Sequence, residues 1–566
     1  MPKNAKPVLL LRVFNANASS CDLSGNPFDR ACNEASQTQR TRCTRRRSLV
    51  LKSMLLGCLL TLPSCKIPNL RLPKSGQNIP ATYEETTTAD LQDNNGSSSA
   101  QVPWCEFFED PLLVGLINQA FVENQELKIL EEDIRIAQYE VKARSGAYLP
   151  FFNLGGRAGI AKPSLFTPAG AVEDQLQPIP GKGFPSPLPN FLLATDVSWE
   201  VDIWRRLRNL QAAAAYRYLG TAEGRNYVAT RLIADISTNY YRLLALDNRL
   251  KILDRTIEIQ NKSLETTRNL KASGRATELG VQRFEAEVRR NQSEKLVVQQ
   301  EIIEIENEIN FLVGRFPQLV DRSNVDFLQL NLHSLSVGVP SQLLQNRADI
   351  RQAERELAAT GLDIRAARAR FYPSLTLTAG VGYEAFNTRY LFNTPESLIY
   401  GAAGGLVGPI INRRAIQADY QTANAKQLQA IYTYQRTVLN AFTEVINYIN
   451  AVENYTKSID IKKQQLKALE TSVSVATDLF QNLRAEYIDV LLAQRDLMEA
   501  RMVIVETKQK QLTSIVNAYQ ALGGGGAPIQ SDDSMVVRVE EIQEPIVVEQ
   551  NEKELMEIVT EQNQKQ

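Results

Sequence analysis

The sequence predicts a mainly α chain with a transmembrane β part, built as a tandem repeat of long helices with two strands in each copy. Three observations predict it. First, residues 339–379 switch period without a break. Leu343, Ile350, Ala353, Leu357 and Ile364 recur at helical spacing. Pro373 then ends the helix, because it donates no hydrogen bond and biases Tyr372 out of the helical region. Leu375, Leu377, Ala379, Val381 and Tyr383 follow, alternating with Thr376, Thr378, Gly380, Gly382 and Glu384, the period of a strand with one apolar face. Second, Tyr148-Leu149-Pro150 repeats the Phe371-Tyr372-Pro373 punctuation 223 residues earlier, and later landmarks recur at offsets of 209 and 210 (Arg275/Arg484, Leu312/Leu522). Third, after the N-terminal region no uncharged apolar run reaches the roughly 18 residues a membrane helix needs, whereas the strand-like segments have the length of membrane strands.

Composition narrows the function classes. Lysine and arginine (63) cancel aspartate and glutamate (64), so no basic field points to nucleic acid. A single histidine, His333, argues against a histidine-based hydrolase or a histidine-built metal centre, and it sits between the repeats as an ordinary surface residue. The six cysteines all lie in the first fifth of the chain with no CxxC spacing, so neither a zinc site nor a disulfide framework is indicated.

In order, residues 1–64 read as an N-terminal extension and signal peptide. Arg45, Arg46 and Arg47 precede an apolar run from Ser48 to Ser64, which ends in Cys65. This layout resembles a bacterial lipoprotein signal with Cys65 as the acylated first mature residue. Cys58, after Leu56-Gly57, is a competing site, and a cytosolic tail with a buried helix is the alternative reading. Residues 65–103 form a Pro/Ser/Asn/Thr-rich linker. The first repeat is 104–314. Asp110-Pro111 starts a helix expected to run to about Ser145. A strand over 151–161, a Pro/Gly-rich loop over 162–190 and a second strand through Val197, Trp199 and Val201 follow. Most of the next 110 residues are helical, with Leu243, Leu246, Leu250, Leu253 and Ile257 as a coiled-coil seam. The second repeat, 315–526, has a helix starting at Pro340-Ser341, strands from Leu375 and over 399–411, and a helix from Arg413. Val438, Phe442, Val445, Ile449 and Val452 repeat the seam. Residues 527–566 carry ten acidic against three basic residues, the composition of a disordered tail.

Four strands cannot close a barrel, and an open edge is not viable in lipid, so the chain must pool strands with copies of itself. Three copies give twelve strands, an even number within the range of outer-membrane barrels. Helices of about 60 residues would extend roughly 90 Å.

The residues that match a family lie in the stretch described first. Val339-Pro340-Ser341, Leu343-Leu344, Arg347, Asp349-Ile350 and Ala353-Glu354, followed by Phe371 and Pro373, resemble the signature of TolC-like outer-membrane efflux factors, in their lipoprotein subgroup. Trp104, Asp110-Pro111 and the run Tyr519-Gln520-Ala521-Leu522-Gly523-Gly524 are similar to further family positions, and Ala348 replaces the usual proline. The resemblance covers residues 100–525. It implies a homotrimeric channel-tunnel without cofactors: a twelve-stranded barrel in outer-membrane lipid, and an α-helical barrel crossing the periplasm to an adaptor and an inner-membrane pump. On matching positions, Gly274 and Arg275 fall at the first adaptor-docking tip, and Leu483 and Arg484 at the second, where Leu483 departs from the expected glycine. Asp489 matches one carboxylate of the periplasmic constriction, where three copies would act as a cation-binding ring. Leu492 occupies the position of the second.

Simpler readings stand beside these. Gly274 would also serve as a helix C-cap, Asp489 as a solvated carboxylate and Trp199 as packing rather than an interfacial anchor. Arg347 and Asp349 read as structural contacts, not catalytic groups. The expected function is an export duct with no chemistry of its own. The alternatives are an exit duct for type I protein secretion and a non-membrane coiled-coil scaffold.

Overall fold

The computed structural model describes residues 67–73, 80, 98–178, 180–324, 326–332, 335–336, 338–409, 413–482 and 484–525. The signal segment, Cys58, Cys65, His333, Leu483 and the acidic tail therefore lie outside the described residues.

After a 3-10 turn (Ser99–Gln101), the described α-helices begin with α1 (Trp104–Phe107) and α2 (Pro111–Glu123), the latter with Pro111 in its first turn and Asp110 as its cap, accepting from the Leu112 N–H at 2.9 Å. The other Asp110 oxygen accepts from the Tyr240 and Ser323 hydroxyls, both at 2.7 Å. Burial, opposed in part by the Ser323 hydrogen bond, pushes Tyr240 up to about 12, so it stays neutral and keeps donating. The helix expected to continue to Ser145 instead breaks at Asn124. Asn124 takes an extended backbone, caps α3 (Gln125–Gly146) through the Leu127 N–H, and donates to the Leu312 carbonyl at 2.7 Å. A tertiary contact 188 residues away sets that bend.

Strand β1 (Phe151–Ala161) follows, then α4 (Pro168–Gln175) and β2 (Leu188–Val201). The expected open loop over 162–190 thus holds a short helix, capped by Thr167 with Pro168 at its start, and the strand begins before the predicted loop ends. Beyond β2 come α5 (Arg206–Ala272, 67 residues) and α6 (Glu278–Val313). At 1.5 Å per residue α5 is about 100 Å long. Its seam is real: Leu243, Leu246 and Leu253 are buried among the core residues shared with α2, α6 and the last helix.

The second copy begins with a correction. The helix predicted from Ser341 is three pieces: a 3-10 turn (Pro340–Gln342), α7 (Leu343–Asn346) and α8 (Ala348–Ala369), parted where Arg347 turns extended. Arg347 is pulled out of helical geometry by partners on later helices. Ala348 is the first residue of α8, a position where proline also fits. Strands β3 (Ser374–Ala385) and β4 (Leu398–Val407), then α9 (Arg414–Gln481) and α10 (Tyr487–Ala521), complete the described elements. Matching ends keep the sequence offsets: Gly146 and Ala369 close α3 and α8, 223 apart, and Ala272 and Gln481 close α5 and α9, 209 apart.

The strands form one antiparallel sheet, in the order β1-β2-β3-β4. The register puts whole rows in line: Phe152–Val197–Ala379–Ala402, and beside it Asn153–Asp196–Gly380–Gly401. Because side chains alternate faces, one face of the sheet carries Phe152, Leu154, Val197, Trp199, Leu377 and Tyr400. The other carries Asn153, Arg157, Asp196, Glu200, Thr378 and Glu384.

Candidate channel: sheet faces, junctions and hairpin tips

The register brings all four helix–strand junctions to one end of the sheet, because Phe151 pairs with Ser198, Val201 with Leu375, and Ser374 with Val407. Two tryptophans fasten that end. The Trp199 indole N–H donates to the Tyr148 carbonyl at 2.8 Å, and the Trp204 indole N–H donates to the Pro373 carbonyl at 2.9 Å while its ring stacks on Tyr372 at 4.6 Å. Each indole thus satisfies a carbonyl beside one of the two proline junctions, and both rings stay partly exposed, as side chains at a lipid–water boundary do. Trp204 had no sequence signal beyond ending the alternation. Asp202 was missed as well. Buried, it accepts from the Leu207 and Arg208 N–H groups at 3.0 and 2.9 Å, capping α5 where Arg205 adopts a left-handed backbone.

At the far ends of the long helices lie the hairpin tips. Gly274 sits at φ +70°, with its N–H donating to the Lys271 carbonyl, and the Arg275 N–H donates to the Leu270 carbonyl at 2.8 Å. This is a Schellman cap, and the left-handed backbone is what calls for glycine. At the second tip, 209 residues on, the Arg484 N–H donates to the Leu479 carbonyl at 2.8 Å. Leu483, the residue between, lies outside the described residues. Asp489 is exposed, in the first turn of α10, and its carboxylate accepts from the Glu486 N–H at 3.0 Å. Leu492, one turn further, is 44% exposed.

The two tips also touch each other, through residues that sequence reasoning did not single out. Leu264, Val281, Phe284 and Val288 of the first hairpin bury against Leu491 and Tyr487 of the second. A side chain added at Gly280 would come within 3.2 Å of the Tyr487 ring, so the ring lies against bare backbone. A glycine in the first turn of a long helix was the available signal.

No helix among the described residues is long and apolar enough to cross a membrane. The apolar sheet face is the surface suited to lipid. The sequence profile of the family described as Outer membrane efflux protein matches residues 116–315 and 339–524. The chain belongs to that family. Members are outer-membrane channels rather than enzymes, and this chain is an outer-membrane efflux channel. It is 25% identical over 471 residues to the cation efflux system protein CusC of Escherichia coli, covering 83% of this chain and 96% of that one. It is 27% identical over 483 residues to the solvent efflux pump outer membrane protein SrpC of Pseudomonas putida, covering 85% and 99%. The fold matches the solved outer-membrane channel OprN with a TM-score of 0.72 at 23% identity, over 81% of this chain and 99% of OprN.

Proposed function

We propose that three copies of this chain form the exit duct of a tripartite efflux system, receiving solutes from a periplasmic adaptor and an inner-membrane pump. The observation that carries the trimer is the sheet itself. Its edges, β1 and β4, have no neighbour among the described residues, its Phe152 face is apolar, and lipid tolerates no open edge. Pairing β4 of one copy with β1 of the next closes twelve strands after three steps. The helices support the same assembly. α8 packs against both α5 and α9, whereas its counterpart α3 packs mainly against α5 among the described residues and exposes Ile129, Ile136 and Tyr139. By the repeat, α9 of the neighbouring copy belongs on that stripe.

On this reading the tips around Gly274-Arg275 and Leu483-Arg484 receive the adaptor, and Cys65 carries the lipid anchor. Residues 104–314 and 315–526 act as the two structural repeats, preceded by a signal segment and linker and followed by an acidic tail. A membrane-fraction gel of the wild type and Cys65→Ala tests the assembly and the anchor together. A trimer band is expected in both lanes, with loss of a labelled acyl chain only in the variant. A soluble monomer in both lanes sinks the trimeric duct.

Asp489 supplies the constriction ring. Asp489→Asn in reconstituted trimers is expected to weaken divalent-cation block of conductance, because three carboxylates around an axis bind cations that amides do not. Unchanged block retires the assignment.

A further inference from the structure

The four junctions share a second property besides their level: charge. Within ten residues of the four strand ends that face the long helices (141–150, 202–211, 364–373 and 408–417) stand ten basic side chains and one acidic one, Asp202. The whole chain is balanced, 63 against 64. The connections at the opposite end of the sheet, 162–187 and 386–397, are balanced too, with Lys162, Lys182 and Arg389 against Glu173, Asp174 and Glu396. The excess therefore belongs to one end of the sheet. Every junction contributes to it.

Part of the excess is spent inside the chain. Arg144 pairs with Glu140 at 2.7 Å, Arg206 with Glu200 at 2.8 Å, Arg208 with Asp202 at 3.7 Å and Arg370 with Asp419 at 2.5 Å. Arg413 donates to the Pro409 carbonyl at 2.6 Å. Lys142, Arg205, Arg365, Arg368 and Arg414 are exposed and form no ion pair with any described residue. Next to them, on the membrane side, stand the partly exposed rings of Trp199 and Trp204 and the side chains of Leu149, Phe152 and Ile203. Unpaired cations on the water side of an aromatic and aliphatic girdle are what an anionic headgroup layer fits: phosphates meet the guanidinium forks, and the long stems lie along the acyl boundary.

We infer that these junctions form a basic collar that binds anionic phospholipid headgroups of the periplasmic leaflet, and that this sets the depth of the barrel in the membrane. The inference rests on the outer-membrane location and adds a lipid class to it. Asp202 stays with the α5 cap and does not compete for the phosphates.

The test uses the full chain as the detergent-solubilised trimer, with phosphatidylglycerol or phosphatidylethanolamine added and bound lipid counted by native mass spectrometry. Phosphatidylglycerol is expected to bind at least about tenfold more tightly, with the difference fading as salt rises. Each neutralised collar residue should cost roughly fivefold, the equivalent of about 1 kcal/mol per basic side chain at an anionic surface. The combined variant Lys142→Gln, Arg205→Gln, Arg365→Gln, Arg368→Gln should therefore lose the preference. The control variant Lys162→Gln, Lys182→Gln, Arg389→Gln removes charge from the other end of the sheet and should keep it. If the combined variant does not assemble, Lys142→Gln and Arg205→Gln singly should each show the fivefold loss. Equal binding of the two lipids by the wild type overturns the collar. So does an equal loss in the collar and control variants, or displacement of the lipid by millimolar glycerol phosphate. A change in ion selectivity of conductance with lipid binding unchanged places these arginines in the lumen and overturns it as well. A trimer that conducts normally but shows no lipid preference retires the collar and leaves the channel reading standing.

Discussion

Arg347→Ala is expected to destabilise the folded chain by about 3–5 kcal/mol, the cost of breaking a buried ion pair from one side. Arg347 is 3% exposed. Its guanidinium donates to both Asp349 oxygens at 3.0 and 2.7 Å, to Glu444 of α9 at 2.9 Å and to the Ala521 carbonyl of α10 at 3.0 Å. Burial works against the charge, but Asp349 and Glu444 outweigh it and raise the arginine above its ordinary value, so it stays protonated at any working pH. Removing the side chain leaves a carboxylate pair and a carbonyl facing one another in a cluster with Leu343, Ile350, Val445 and Leu522. Arg347→Lys should recover little, because an ammonium cannot reproduce the two-pronged contact to Asp349. The combined variant Arg347→Met, Asp349→Leu, Glu444→Leu should recover most of the loss, because it removes the stranded charges along with the pair. Thermal unfolding of the detergent-solubilised protein by circular dichroism reads all three. A loss below about 1 kcal/mol for Arg347→Ala, within the range of an exposed pair, would contradict the network.

Arg347 also shows where sequence reasoning reached and where it stopped. That Arg347 and Asp349 would make structural polar contacts was legible from their place near a repeat boundary. That Arg347 would break its own helix was not, because its partners lie 97 and 174 residues away. Local propensity carries no information about such contacts. Asn124 is the same case: a good helix position in sequence, turned into a cap by Leu312. The features that sequence placed well are those set within a few residues. Both proline junctions, the Schellman geometry at Gly274 and the strand alternation of β3 depend on local backbone chemistry and period. The four-three seams of α5 and α9 were legible for the same reason. The tip contact was not, since it joins residues of two repeats whose spacing in sequence says nothing of their meeting.

That tip contact is where the second large effect is expected. If the hairpin ends form the tunnel entrance, as proposed, the second tip stays against the first only while Tyr487 and Leu491 remain in the cluster with Val281 and Phe284. Among the described residues the polar support is slight: one hydrogen bond from the Gln494 amide to the Ser263 hydroxyl at 3.2 Å. Burial of an aromatic or leucine side chain contributes about 1.5–3 kcal/mol, and 1.4 kcal/mol is a factor of ten in a two-state ratio. Tyr487→Ala should therefore shift the separated-to-packed ratio by about tenfold or more, and Gly280→Val should do the same by putting methyl groups where the ring lies. Tyr487→Phe should behave as the wild type, because the contact uses the ring face rather than the hydroxyl. Single-channel recordings of reconstituted trimers are expected to show larger or longer openings for the first two variants and none for the third. The folded state should be unchanged, since the cluster holds the tips alone while the main core lies elsewhere around Tyr240, Ile309 and Tyr519. Ordinary conductance in both Tyr487→Ala and Gly280→Val would mean that the tips part without passing through this contact.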